Sequence, residues 1–375
     1  MKRYPFLDLK TVNAPYRDAL VEAMTRVVDS GWYVGGAEVD NFEKALAEQT
    51  EAPYAVGLTN GLDALRLALR GYIELGRLKR GDKVMVPANT YVATVLAITD
   101  NGLEPVFADA SVETLNMDTG RLEEYWEEGV KAIMPVHLYG RVCWDERLRD
   151  FVEKHELLVI EDNAQAIGAR ACVPGLFGTH RSGSLGHAGC FSFYPTKNIG
   201  ALGDAGALVT HDADLAEAVR AIRNYGSVRQ YDNIYKGLNC RLDPVKAAQL
   251  MVKLPHVDEE NAQRARLAAI YDTQINNPLV IKPKFCADGS CVWHQYVVRV
   301  NNRDAFRSYL LEHGVETAVH YATPPYRQTC YAEYSGTDMP VSDEIARTCV
   351  SLPITRCTSE TDAGDISAII NAYKH

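Results

Sequence analysis

Lys197 stands in the run Gly183-Ser-Leu-Gly-His-Ala-Gly-Cys-Phe-Ser-Phe-Tyr-Pro-Thr-Lys-Asn-Ile-Gly-Ala-Leu-Gly-Asp-Ala-Gly-Ala-Leu-Val-Thr210, among residues too small or too rigid for an ordinary surface lysine. Cys190 to Tyr194 reads as a short buried strand, and Pro195 stops it. The glycines at 200, 203 and 206 let the backbone fold closely around whatever Lys197 touches, and Ala207 to Thr210 returns as a second strand. A lysine in such surroundings is partly desolvated, which lowers its ammonium pKa and frees a nucleophilic amine. That is what a Schiff base needs. A solvated surface charge and a cation that neutralises a phosphate are the plainer readings of a single lysine, so the residues upstream must decide.

Glu161-Asp-Asn-Ala-Gln165 closes an apolar run at Leu157 to Ile160, so Asp162 is expected at the ligand-binding edge of a sheet. A strand-end turn or a helix N-cap would explain such an aspartate without any ligand. A carboxylate there also suits the protonated nitrogen of a pyridine ring, and Gln165 suits a phenolic oxygen. Pyridoxal phosphate requires both groups, with the lysine forming the imine on one side of the ring and the aspartate keeping the ring an electron sink from the other.

The elements that must position these groups are legible as an alternation. Tyr54 to Leu58, Lys83 to Val86, Glu104 to Phe107, Lys131 to Met134 and Leu157 to Glu161 read as strands. Helical stripes follow them at Gly61 to Leu75, Thr90 to Asp100, near Gly120 to Glu128 and near Trp144 to His155. Near-continuous apolar strands alternating with helices predict an α/β fold with a mainly parallel sheet covered on both faces. Ahead of it, Pro15 to Ser30 predicts a helix with Tyr16, Leu20, Met24 and Val27/Val28 on its stripe and Gly31 just past its end. The loop Gly31-Trp-Tyr-Val-Gly-Gly36 either lines a pocket or caps a core. After Thr210 the chain turns helix-rich, with helices near Asp212 to Arg223 and between Pro244 and Thr273. A strand at Val292 to Val300 then joins helices at Arg303 to His313, 341–350 and 359–373. Two domains are expected from 375 residues: a large one over 1–255 and a smaller α+β domain over 256–375.

Composition narrows the function classes. The net charge of −10, without a lysine or arginine cluster, argues against a nucleic-acid surface. Nine cysteines without a Cys-x-x-Cys pair suggest neither a metal site nor a disulfide framework, and Cys190 and Cys240 read as reduced fillers. Neither a signal-peptide core nor a membrane-length apolar stretch is present, so a reducing cytoplasm is the expected home.

The chain resembles the sugar aminotransferases of the DegT/DnrJ/EryC1/StrS group, fold type I pyridoxal-phosphate enzymes. The matching segments run from Pro5-Phe-Leu-Asp-Leu-Lys and Ser30-Gly-Trp-Tyr-Val-Gly-Gly through Asn60-Gly-Leu-Asp-Ala-Leu, Val136-His-Leu-Tyr-Gly and Glu161-Asp-Asn-Ala-Gln-Ala. They continue with Phe191-Ser-Phe-Tyr-Pro-Thr-Lys-Asn, Arg223-Asn-Tyr-Gly, Gly237-Leu-Asn-Cys-Arg-Leu-Asp and His320-Tyr-Ala-Thr-Pro-Pro-Tyr. Their shared order along nearly the whole chain carries the resemblance. It implies Lys197 as the Schiff-base lysine, Asp162 as partner of the pyridine nitrogen and Gln165 as a contact to the ring oxygen. Tyr91 matches the aromatic that stacks on the ring, with helix-start packing as its plainer use. The phosphate is expected at the helix start formed by Asn60, Gly61 and Leu62, with Ser192 adding a hydroxyl. Asn239 matches a residue that reaches the phosphate from a neighbouring subunit, which implies a homodimer with shared active sites. Tyr33, Tyr194, His320 and Tyr321 are candidate substrate contacts by motif position, with core packing as the rival reading of each. Three positions depart from the commoner pattern: Leu62 where a hydroxyl residue is frequent, His187 in place of an aspartate, and Ala205 in place of a glycine. His187 reads as a loop or core histidine.

The resemblance implies transfer of an amino group from glutamate to a nucleotide-linked ketosugar. The wording around Lys197 and Asp162 is more similar to the branch that aminates C3 of dTDP-3-keto-6-deoxyhexoses than to the branch that aminates C4 of UDP-4-keto sugars. Lys197 argues against a dehydratase of the same fold, in which histidine replaces the lysine. A cofactor-binding sensor without turnover would more naturally carry a DNA-binding segment, for which no spare basic helix exists. A lysine-imine aldolase would have no use for Asp162 together with an anion-binding helix start.

Overall fold

The computed structural model describes residues 2–172 and 179–374. Seven strands form the central sheet: β1 (Tyr54–Leu58), β2 (Lys83–Pro87), β3 (Glu104–Ala108), β4 (Val130–Ile133), β5 (Leu158–Asp162), β6 (Ala188–Ser192) and β7 (Gly206–Thr210). Their order is β1-β7-β6-β5-β4-β2-β3. Pairing is parallel from β6 through β5, β4 and β2 to β3, while β7 runs antiparallel to both of its neighbours. β1 therefore points the same way as the parallel strands, and six carboxyl ends lie along one edge. The strands read as apolar runs because both faces are covered. Val84 and Val86 face the cluster that includes Leu65 and Leu69 of the Gly61–Glu74 helix, and Met85 packs with Leu148 and Phe151 on the other side.

The Arg17–Ser30 helix ends as expected on Gly31, whose φ of +66° is open to glycine at little cost. Leu20 and Val27 are buried but Val28 is exposed, because one further residue turns it about 100° off the buried stripe. Three other expectations are corrected. The strand predicted at Cys190 to Tyr194 lies two residues earlier, since Ala188 and Gly189 already pair with β5 and β7. The helix predicted near Gly120 to Glu128 is only Leu122–Tyr125, as Trp126 turns extended. Of the strand predicted at Val292 to Val300, only β8 (Tyr296–Arg299) pairs, antiparallel to β9 (Cys349–Leu352). Val292 instead donates its N–H to the Gly140 carbonyl at 2.9 Å, which draws this segment towards the end of the main sheet.

A second apolar core joins β8 and β9 to the helices Val257–Gln274, Arg303–Glu312 and Glu360–Ala372, around Tyr271, Tyr296, Phe306 and Ile366. Tyr4, from the other end of the chain, is buried in this core and pairs with Val315.

Candidate active site

The parallel strands deliver the candidate residues to one edge. Asn60 and Gly61 follow β1, Asn89 to Tyr91 follow β2, Asp162 ends β5 and Ser192 ends β6. Gly206, the first residue of β7, pairs with both Leu58 and Ser192 and so closes the distance between the ends of β1 and β6. Its missing side chain is required: a Cβ there would lie 2.3 Å from the Asn60 carbonyl.

Asp162 is buried, and its carboxylate has two donors. Thr94 donates its hydroxyl to Oδ2 at 2.8 Å, and the Ala164 N–H donates to Oδ1 at 3.1 Å. The second bond is the turn contact that a strand-end aspartate makes. The first aims the carboxylate at the helix after β2. Thr94 is oriented in turn by Thr90, hydroxyl to hydroxyl at 2.7 Å. Burial raises the Asp162 pKa, opposed by Thr94, the Ala164 N–H and the charges on Lys197 and His137. Lys197 sits on a tight turn in which its own N–H bonds the Tyr194 carbonyl at 2.9 Å. Burial lowers its ammonium to about 8, and the Asp162 carboxylate acts in the opposite direction. The two side chains thus feel each other, yet they form no ion pair among those within 4.0 Å, and the Lys197 amine has no hydrogen-bond partner among the described residues. The amine and the carboxylate lie close enough to influence one another without pairing.

The other candidates expected from the sequence are linked to this pair and to one another. Gln165 accepts the Tyr139 N–H at 2.6 Å through Oε1, which fixes its amide, and donates Nε2 to the Tyr321 hydroxyl at 2.9 Å. It thus donates to a phenolic oxygen, one supplied here by the protein. Tyr91 stands at the N-cap of the Val92–Thr99 helix with its ring half exposed, 5.1 Å from the Tyr321 ring. His320 bonds Ser351 Oγ through Nδ1 at 2.8 Å, and burial, then the Lys197 charge, lowers its pKa to about 4. Tyr139 donates its hydroxyl to the His320 carbonyl.

The anion end is built by the Gly61–Glu74 helix. The Asn60 side chain caps Asp63 N–H at 2.8 Å and its carbonyl takes Ala64 N–H at 3.2 Å. The Gly61 and Leu62 N–H groups have no partner among the described residues. Ser192 lies against them, since a Cβ on Gly61 would come within 2.7 Å of its Cβ. Two free donors, a hydroxyl and a helix N-terminus suit a phosphate. With Lys197, Asp162 and Gln165 beside it, the residues present fit pyridoxal phosphate. Three candidates are exposed. Asn239 is exposed and bridged through its backbone to Asn224, Tyr33 is exposed with its hydroxyl on the Val28 carbonyl, and Tyr194 is exposed on the Lys197 turn. His187 lies outside the cluster, taking the Val159 N–H at 3.0 Å through Nδ1.

Residues 16–371 match the DegT/DnrJ/EryC1/StrS aminotransferase family. The chain belongs to that family. It is 45% identical over 369 residues to the dTDP-3-amino-3,6-dideoxy-alpha-D-galactopyranose transaminase of Aneurinibacillus thermoaerophilus, covering 98% of this chain and 99% of the relative. Among solved structures, DesV of S. venezuelae in complex with a ketimine intermediate superposes with a TM-score of 0.93 at 38% identity, covering 99% of this chain and 98% of that one. NtdA from Bacillus subtilis with bound cofactor PMP superposes with a TM-score of 0.86 at 26% identity, covering 99% of this chain and 86% of the other. The chain is a sugar-nucleotide aminotransferase of this family, and its cofactor is pyridoxal phosphate.

Sequence reasoning gave no role to Thr94, nor to Tyr139 and Asn198, although the last two lie inside the quoted motifs. Thr94 carries a readable signal: a hydroxyl one helical turn after Thr90 at a helix start. The contact of Asn198 with His294 carries none, because it forms only when the segment after Cys291 folds against the Lys197 turn.

Proposed function

We propose that the chain moves an amino group from glutamate onto C3 of a dTDP-linked 3-keto-6-deoxyhexose, using Lys197 as the reactive lysine. The observation that carries this reading is the partly buried Lys197 amine, which desolvation lowers to about 8, which has no hydrogen-bond partner among the described residues, and which feels the Asp162 carboxylate. The C3 assignment is supported by the relative at 45% identity, a dTDP-3-amino-3,6-dideoxy-alpha-D-galactopyranose transaminase.

Pyridoxal phosphate supplies an aldehyde that carries the amino group and a ring that draws electrons from the carbon being deprotonated. The protein's own groups do the rest. Asp162, held by Thr94 and Ala164, would keep a proton on the ring nitrogen. Gln165, its amide fixed by Tyr139, would orient the ring oxygen, with Tyr91 against the ring face. The Gly61 and Leu62 N–H groups and Ser192 would hold the phosphate. Lys197 Nζ, once free, would carry a proton from the donor's amino carbon to C4′ and back, and an amine near pKa 8 exchanges that proton readily at neutral pH. His320, Tyr321, Tyr194 and Tyr33 remain the proposed substrate contacts, and Asn239 the proposed contact to a partner subunit's phosphate.

A homodimer fits the apolar surface around Asn239. Tyr225, Val228, Tyr231, Ile234 and Leu238 are exposed on the segment leading to it, with Trp32, Tyr33 and Val34 exposed on the aromatic loop. The Ile234→Asp variant is expected to sediment as a monomer. We also propose a division near residue 255, supported by the separate core around Tyr271 and Phe306, and a reducing cytoplasm, supported by eight free cysteines among the described side chains. No helix among the described residues is long and apolar enough to cross a membrane.

The experiment that tests the reading offers dTDP- and UDP-linked 3-keto and 4-keto sugars with glutamate, and locates the new amine by NMR. Amination at C3 of a dTDP sugar is expected. Amination at C4 of a UDP sugar would overturn the substrate assignment, and no amination by cofactor-loaded protein would overturn the activity.

A further inference from the structure

Two buried hydroxyls stand behind the Asp162 carboxylate. The Asp162 backbone is already fixed, its N–H donating to the Pro135 carbonyl at 2.9 Å and its carbonyl accepting the His137 N–H at 3.0 Å, so only the side-chain torsions remain to be set. The Ala164 N–H donates to Oδ1 and the Thr94 hydroxyl to Oδ2, and these are the carboxylate's only bonds among the described residues. Thr94 is 0% exposed and Thr90, four residues before it, is 1% exposed, so water competes for neither hydroxyl.

A hydroxyl has one hydrogen to give. Thr94 commits its own to Asp162 at 2.8 Å, so the 2.7 Å contact between the two threonines is a donation from Thr90 to Thr94. The chain therefore runs from Thr90 through Thr94 to Asp162, a direction that suits an ionised carboxylate, which only accepts. A hydroxyl that accepts while it donates is polarised into a stronger donor, and a bond to a carboxylate is stronger than one between neutral groups. Burial acts the other way, favouring the neutral acid. Of the titratable groups near the carboxylate, Lys197 and His137 favour the anion, while Tyr321 and Cys190 have their own ionisation opposed by it. Glu161, its neighbour in β5, is taken up by His137 and the N–H groups of Gly183, Leu185 and Gly186. The Thr94 hydroxyl is thus the one side-chain bond that holds Asp162 as an anion.

We propose that Thr94, primed by Thr90, is a positioning residue for Asp162: its hydroxyl holds the carboxylate as a fixed anion, the form able to keep a proton on the pyridine nitrogen. The inference rests on the reading of Asp162 as partner of that nitrogen and deepens it. A carboxyl that took the proton for itself would leave the ring uncharged and a weaker acceptor of electrons. Thr94 acts through Asp162 rather than on the reacting atoms.

Thr94→Val removes the hydroxyl at nearly constant shape, and Thr94→Ser keeps it on a smaller frame. The first readout needs no cofactor: the carbon-13 carboxyl signal of Asp162 in aspartate-labelled, cofactor-free protein, assigned by its loss in Asp162→Asn and followed across pH. Thr94→Val is expected to weaken the Asp162 acid about tenfold, moving its midpoint to higher pH, because a bond to the charged form is lost; Thr94→Ser should stay within about twofold of wild type. Thr90→Val, which leaves the Thr94 hydroxyl in place, should move the midpoint the same way by about two- to threefold. A midpoint that neither valine variant moves, or one that Thr94→Val and Thr94→Ser move equally, would overturn the proposal. The second readout is the nitrogen-15 shift of the ring nitrogen in protein loaded with labelled pyridoxal phosphate. It should report a protonated nitrogen in the wild type and in Thr94→Ser, and move towards the unprotonated value in Thr94→Val. A protonated wild-type nitrogen that ignores Thr94→Val would overturn this proposal alone. An unprotonated wild-type nitrogen would overturn the pairing of Asp162 with the ring, and this proposal with it.

Discussion

Two lysines, the partly buried Lys197 and the buried Lys253, have almost the same acidity and opposite circumstances. Burial lowers each ammonium to about 8, and in each case one carboxylate, Asp162 or Glu260, acts against the shift. Lys253 nonetheless has its charge spoken for, donating Nζ to the Gly200 carbonyl and to Asn13 Oδ1, both at 2.5 Å. Lys197 donates to nothing among the described residues. A depressed pKa therefore does not identify a nucleophile; an unbonded amine with a depressed pKa does. The two lysines also work together, since the Gly200 carbonyl that Lys253 holds belongs to the loop that carries Lys197.

The largest effect that separates them is loss of the amine itself. Lys197→Ala is expected to abolish covalent capture of the cofactor and to lower turnover by about 10^4-fold or more, measured by absorbance and product formation. Asp162→Asn keeps the Thr94 and Ala164 contacts within reach but removes the negative charge. Turnover should fall on the order of 10^2-fold, and the midpoint for capture should drop below that of wild type, because the carboxylate is what raises the lysine pKa. Lys253→Met should behave differently: capture within a few fold of wild type, with stability reduced by about 1–3 kcal/mol in a denaturant melt, because the Gly200 carbonyl loses its donor. The smallest effect is in the pH profile of capture by the unaltered protein. Attack needs the neutral amine, so the rate should climb through pH 8 and flatten by about 9.5, whereas a lysine near its ordinary value of about 10.4 would still be climbing there.

The parallel part of the sheet was legible because its strands are buried on both faces and its helices carry a 3.6-residue stripe; Tyr54–Leu58 and the Gly61–Glu74 helix stand almost where their patterns put them. The strand ends were harder. Cys190 to Tyr194 looked like a strand because aromatic residues favour extended backbone, but Phe193 leaves the ladder, donating its N–H to the Ala205 carbonyl while its own carbonyl accepts the Ala201 N–H. Val292 to Gln295 carries the same apolar signature as β8, yet its hydrogen bonds go to Tyr139 and Gly140, a long-range choice that no local pattern encodes. The site divides in the same way. Lys197, Asp162 and Gln165 sit in motifs and could be named from the sequence. Their surroundings could not, because Asn261 and His294 come from distant segments and reach Asn198, inside the Lys197 motif, only when the chain folds.

The most direct test of this picture is to reduce the cofactor-loaded protein with borohydride and map the modified peptide by mass spectrometry. The pyridoxyl group should be found on the peptide containing Lys197 and not on that containing Lys253. A label on Lys253, or no label on either peptide from protein that turns over, would contradict the claim that the unbonded amine is the one that reacts.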